Sequence, residues 1–203
     1  YESYLSPNYT MFQIQTLAER MAAYMVMIGY TPVIQLEDLP ENVAGQINLN
    51  DSKYVYIKID KSRFESREYT PIELVAVIAH ELSHKFLWIH GFKDTSAKIE
   101  YMTDACAIFL GFGEFLYQAS DMVTAHYDTD GTIKRCYRKL GYLEKWQIAY
   151  LRNKFFGLDL PCVKVCNTHA DEDENESNRG VSWNTIALII AIALLIFYLL
   201  FFT

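Results

Sequence analysis

The spacing of hydrophobic positions changes several times along this chain. Residues 10–29, TMFQIQTLAERMAAYMVMIG, repeat apolar side chains every three or four positions and predict a helix that closes at Gly29. TPVIQLED, 31–38, predicts a strand. GQINLN (45–50) and YVYIKID (54–60) alternate apolar and polar positions around the turn DSK, which predicts a β-hairpin. The helical period returns in YTPIELVAVIAHELSHKFLWIHG, 69–91. Here Thr70 is an N-cap, Pro71 suits the first helical position, Glu73 completes a capping box and Gly91 suits the closing turn, so a helix is predicted from Pro71 to His90. SAKIEYMTDACAIFLGFGEFLYQA (96–119) predicts a second long helix. KRCYRKLGYLEKWQIAYLRNKFFG (134–157) predicts one or two more, with a break at Gly141. Helix, short sheet, then helices is an α+β order.

The last part of the chain differs from the rest. No charged residue occurs between Val181 and Thr203, and from Ile186 to Phe202 only Tyr198 carries a polar side-chain atom. As a helix this stretch would extend about 34 Å, against a bilayer hydrocarbon core of about 30 Å. A transmembrane helix is therefore expected over 181–203, with Trp183 at the interface. Residues 167–180, NTHADEDENESNRG, hold five acids and one arginine and read as a flexible tether. The expected organisation is a folded domain over 1–166, the tether over 167–180 and the anchor over 181–203. No signal-peptide pattern opens the sequence, so the folded domain is expected on the cytoplasmic side and its substrates at the membrane.

The 203 residues suffice for one domain with a full core. The formal charge is −7; removing the tether's −4 leaves −3 for the rest, a balance that argues against a nucleic-acid partner.

The chemistry concentrates in HELSH. Residues four apart on a helix share a face, so His80 and His84 can direct two imidazole nitrogens at one metal ion. Glu81 lies beside them without occupying a coordination position and is the candidate general base. His90 is the obvious third ligand by proximity. Its spacing resembles the metzincin pattern H-E-x-x-H-x-x-G-x-x-H, but Leu87 stands where that pattern has the glycine that turns the chain, so the helix continues and His90 points about 240° away from His84. In the next predicted helix, EYMTD sets Glu100 and Asp104 on one face. Glu100 can complete the metal site, and Asp104 can accept a hydrogen bond from a ligand imidazole.

HELSH followed by EYMTD resembles the H-E-x-x-H … E-x-x-x-D pattern of the gluzincins, the thermolysin-like branch of zinc metallopeptidases. The resemblance covers about residues 45–118. It implies a zincin-like fold, with a small antiparallel sheet, an active-site helix and further packed helices. It implies Zn²⁺ held by His80, His84 and Glu100, with Glu81 as base and Asp104 behind a ligand histidine. It further implies hydrolysis of a peptide or protein substrate that lies as an added strand against YVYIKID. His126, Tyr127 and Tyr137 are candidates to stabilise an oxyanion. Two other readings are a zinc-binding regulatory protein with weak turnover and a hydrolase of a non-peptide bond. Cys106 reads as a core residue, whereas Cys136, Cys162, Cys166 and His169 could form a second zinc site; the alternative for the cysteines is free thiols or a local disulfide.

Overall fold

The computed structural model describes residues 9–40, 43–50, 52–94, 96–120, 122–127, 133–138 and 140–158. Helix α1 spans Met11–Tyr24, strand β1 Thr31–Glu37, β2 Gly45–Ile47 and β3 Tyr54–Asp60. A short helix α2 (Lys61–Glu65) leads into the long α3 (Pro71–Ile89). Helices α4 (Lys98–Ala107) and α5 (Gly113–Ala119) follow, then strands β4 (Met122–Tyr127) and β5 (Ile133–Arg138), and finally α6 (Lys145–Phe156).

The main sheet has the order β1-β3-β2. β3 pairs antiparallel with β2, as the alternating pattern predicts, but parallel with β1, so the sheet is mixed rather than antiparallel. This also corrects the expected edge: YVYIKID is the central strand, and among the described residues the open edge beside α3 belongs to β2. Alternation along β3 decides the packing. Val55, Ile57 and Ile59 are fully buried, while Tyr54, between them and the turn, is half exposed. Each such fully buried side chain is worth about 1.5–3 kcal/mol of transfer free energy. The helices cover this inner face, α1 against β1 and α3 against β2 and β3.

Helix α3 begins as its sequence predicts. Thr70 Oγ1 accepts from the Glu73 N–H at 3.2 Å, and the Glu73 carboxylate accepts from the Thr70 N–H at 2.7 Å. It ends at Ile89 with His90 as C-cap and Gly91 at φ +89°, the left-handed turn that favours glycine. Its buried side carries an unexpected cation. Lys85 is fully buried, bonds to the Asn50 carbonyl and lies 5.0 Å from the centre of the Tyr30 ring.

Three helical expectations are corrected. α1 stops at Tyr24, not Gly29. The predicted helix over 96–119 is broken: a π-helical segment, Ile108–Phe112, separates α4 from α5, and Gly111 sits at φ +94°. A side chain at Gly111 would meet the Tyr24 hydroxyl at 2.9 Å, so this glycine makes room for α1 as well as for the kink. The segment over 134–157 is a strand, β5, followed by a helix, α6; β5 pairs antiparallel with β4.

The expected membrane anchor is corrected as well. Among the described residues no helix is long and apolar enough to cross a membrane. The longest, α3, has 19 residues but carries Glu73, Glu81 and Lys85. Residues 159–203, including the tether and the stretch 181–203, lie outside the described residues. The anchored, cytoplasmic placement has no support in the fold.

Candidate metal centre

α3 and α4 pack side by side and bring three ligand atoms together. His80 Nε2 and His84 Nε2 are 3.1 Å apart, and Glu100 Oε2 lies 3.2 Å from the first and 3.0 Å from the second. Three atoms bound to one tetrahedral zinc at its usual bond lengths would be separated by about 3.3 Å. The triangle here is close to that size before any ion draws it together.

The imidazoles are held with the correct nitrogens forward. His80 Nδ1–H donates to Asp104 Oδ1 at 2.8 Å. The Thr103 hydroxyl gives its proton to the Ile99 carbonyl at 2.8 Å, which leaves its oxygen to accept from His84 Nδ1–H at 3.1 Å. With both Nδ1 atoms committed to these acceptors, both Nε2 atoms face Glu100 and are the positions open to a metal ion. Asp104 is saturated on its other side, where Oδ2 accepts from the backbone N–H of Tyr142 at 2.6 Å and of Leu143 at 2.9 Å. One carboxylate thus ties the His80 imidazole on α3 to the loop that enters α6.

The electrostatics ask for a cation. Burial alone would lower the His80 pKa, but its bonds to Asp104 and Glu100 outweigh burial and push it up to about 10. Burial would raise the Glu100 pKa, but its bonds to the two histidines hold it at about 2. In the metal-free site a proton held between His80 and Glu100 meets part of this; a divalent metal ion can instead take all three atoms as ligands, so the residues present fit such an ion.

Glu81 is buried (6 % exposed) and takes no part in the triangle. Burial raises its pKa, partly offset by the neighbouring imidazoles, which makes it a better proton acceptor than an ordinary carboxylate. With His80 it lines a cavity of about 270 Å³ whose other walls include Val43, Ala76, Leu116, Leu140 and Tyr142.

The structure brings five residues named from the sequence together here: His80, Glu81, His84, Glu100 and Asp104. His90 is not among them; its Nδ1–H donates to the Phe86 carbonyl at 2.7 Å and its ring packs on Phe86. Ala105 and Ala107 are buried in the helix packing. Gly113 faces α6, since a side chain there would meet Arg152 at 2.8 Å. Sequence reasoning missed Thr103, which lies inside EYMTD at the position that faces His84, and Tyr142, whose ring stacks on His80 with centroids 5.8 Å apart. His126 and Tyr127 fall on β4 and Cys136 and Tyr137 on β5, so the two-strand hairpin, not a helix, carries them. Cys106 is a buried core residue, with burial pushing its thiol up to about 12. Cys162, Cys166 and His169 lie outside the described residues.

Comparison with protein-family models, with curated proteins and with solved structures yields no match to this chain.

Proposed function

We propose that this chain is a zinc-dependent peptidase in which His80, His84 and Glu100 hold the metal and Glu81 is the general base. The observation that carries the reading is the convergence of three ligand atoms within 3.0–3.2 Å, beside a buried carboxylate that the triangle does not use. A site that only held a metal would have no need of Glu81.

When bound, the metal supplies Lewis acidity, acidifying water and polarising a carbonyl oxygen. Glu81 accepts the proton that water gives up as its oxygen attacks the carbonyl carbon. When the carbon–nitrogen bond breaks, Glu81 delivers that proton to the departing amine nitrogen. Tyr142 lines the same cavity. Burial and the nearby carboxylates raise its pKa, so its hydroxyl stays a donor and can face the carbonyl oxygen as negative charge develops there.

The substrate is an extended peptide. In the β2–β3 ladder, Asp60 N–H donates to Ala44 O and Asn48 N–H to Tyr56 O, so even-numbered β2 residues face β3. The backbone groups of Gly45 and Ile47 therefore point to the open edge, where a peptide strand can pair. The apolar walls of the cavity suit an apolar substrate side chain.

Metal analysis combined with a peptide library tests this. The chain should carry one zinc. Glu81→Gln should keep the zinc and lose about 10²–10⁴-fold in turnover. Glu100→Gln should lose zinc, and His90→Ala should not. Unchanged cleavage by Glu81→Gln would place the chemistry elsewhere, and the reverse pattern of zinc loss would overturn the ligand set.

A further inference from the structure

β2 begins with glycine, a residue that weakens strands and often marks a close approach of backbone to something else. No left-handed φ requires it at Gly45. What requires it is space. A Cβ on Gly45 would stand 2.6 Å from Val77 Cγ1, 2.9 Å from Glu81 Oε1 and 3.2 Å from Glu81 Cγ. The first two are closer than real Cβ atoms approach, so something must shift. Val77 is β-branched on a helix and is held to essentially one rotamer, so it cannot easily turn aside. The Glu81 carboxylate ends a flexible chain and can move. The same glycine turns its N–H and C=O to the open edge of the sheet, as the ladder register requires.

We propose that Gly45 is a positioning residue for Glu81: the missing side chain lets β2 lie directly on α3 and leaves the carboxylate aimed at whatever is held between His80, His84 and Glu100. The inference rests on the reading of Glu81 as the base. It adds that the strand which pairs with a peptide also sets the position of the group that moves the proton. The strand edge and the base are one unit; alanine at position 45 presses on both, and with Val77→Ala to make room for its Cβ it displaces the base while leaving the strand's backbone groups in place.

The test needs no turnover. The full chain is loaded with Co²⁺ and titrated with acetohydroxamic acid, with binding read from the visible absorption of the cobalt. A hydroxamic acid gives up a proton as it chelates, and Glu81 is the acceptor, so affinity reports the base. Glu81→Gln should weaken binding about tenfold or more. Gly45→Ala should weaken it by a similar factor with cobalt content unchanged, and should add nothing in the Glu81→Gln background, because both changes act on one interaction. Adding Val77→Ala to Gly45→Ala removes the closest contact. It should recover thermal stability but not hydroxamate affinity. If the Gly45→Ala and Glu81→Gln effects add, or if Val77→Ala restores affinity, Gly45 only packs and the proposal falls while the peptidase reading stands. Equal affinity in the wild type and Glu81→Gln overturns both. A chain that takes up no cobalt overturns the metal site itself.

Discussion

The three-stranded sheet has two outer edges, and the protein treats them differently. Along β1 part of the edge is capped by a helix side chain. Gln15 of α1 accepts from the Ile34 N–H at 2.9 Å and donates to the Pro32 carbonyl at 2.8 Å, so one side-chain amide takes the place of a neighbouring strand. Along β2 no side chain among the described residues does this, and Gly45 and Ile47 keep their outward backbone groups beside the cavity that holds His80 and Glu81. An open strand edge is an aggregation liability that folded proteins usually cover. Covering part of one edge and leaving the other open beside a cluster of imidazoles and carboxylates separates a structural side of the sheet from a chemical side.

Substitutions can break or sharpen that contrast. The largest effect is expected on the structural side. Ile57→Ala in the fully buried centre of β3 should cost about 2–5 kcal/mol in urea unfolding, while the folded fraction keeps its zinc stoichiometry. If the metal is lost in step with that core change in protein that is still folded, the two sides are not separable. Next comes Asp104→Asn on the chemical side. It keeps the shape but weakens the acceptor for His80 Nδ1–H and for the Tyr142 and Leu143 N–H groups. Zinc affinity, measured by competition with a chelator, should fall about 10–100-fold. An unchanged affinity would show that the His80 ring is oriented by packing alone.

A smaller effect is expected from Gln15→Ala, which uncovers that part of the β1 edge. It should cost about 0.5–1.5 kcal/mol per hydrogen bond lost and raise concentration-dependent aggregation seen by light scattering, with zinc content unchanged. If neither changes, the amide closure is incidental. The smallest is a pH effect at the end of β3. Burial would raise the Asp60 pKa, but hydrogen bonds from Ser62 Oγ, the Arg63 N–H and the Leu39 N–H outweigh it and the pKa is lowered. A carboxylate with a depressed folded pKa adds stability above its ordinary value of 3.8 and loses it as pH falls through the folded value. The stability difference between the wild type and Asp60→Asn should therefore shrink as pH drops below about 4. A constant difference there would mean that Asp60 acts only as a neutral cap.

Local rules were enough for much of this. The boundaries of α3 follow from Thr70, Pro71, Glu73 and Gly91, because capping and turn chemistry act within a few residues. The shared face of His80 and His84, and of Glu100 and Asp104, follows from helical spacing alone, as does the turning away of His90. The β2–β3 hairpin follows from alternation around a short turn. The tertiary structure decided what depends on distant partners. The parallel insertion of β3 beside β1 moved YVYIKID from the edge to the centre, and no period within a strand reveals which strand will lie on its other side. The kink at Gly111 makes room for Tyr24 from α1. Lys85 is buried because Asn50 and Tyr30, far away in sequence, receive it. Thr103 and Tyr142 join the site, and Gly45 meets Glu81, only once α4, the loop before α6 and β2 have packed on α3. A sequence pattern states which side chains share a face of an element; which elements meet depends on burying those faces together, and that is settled only by the whole core.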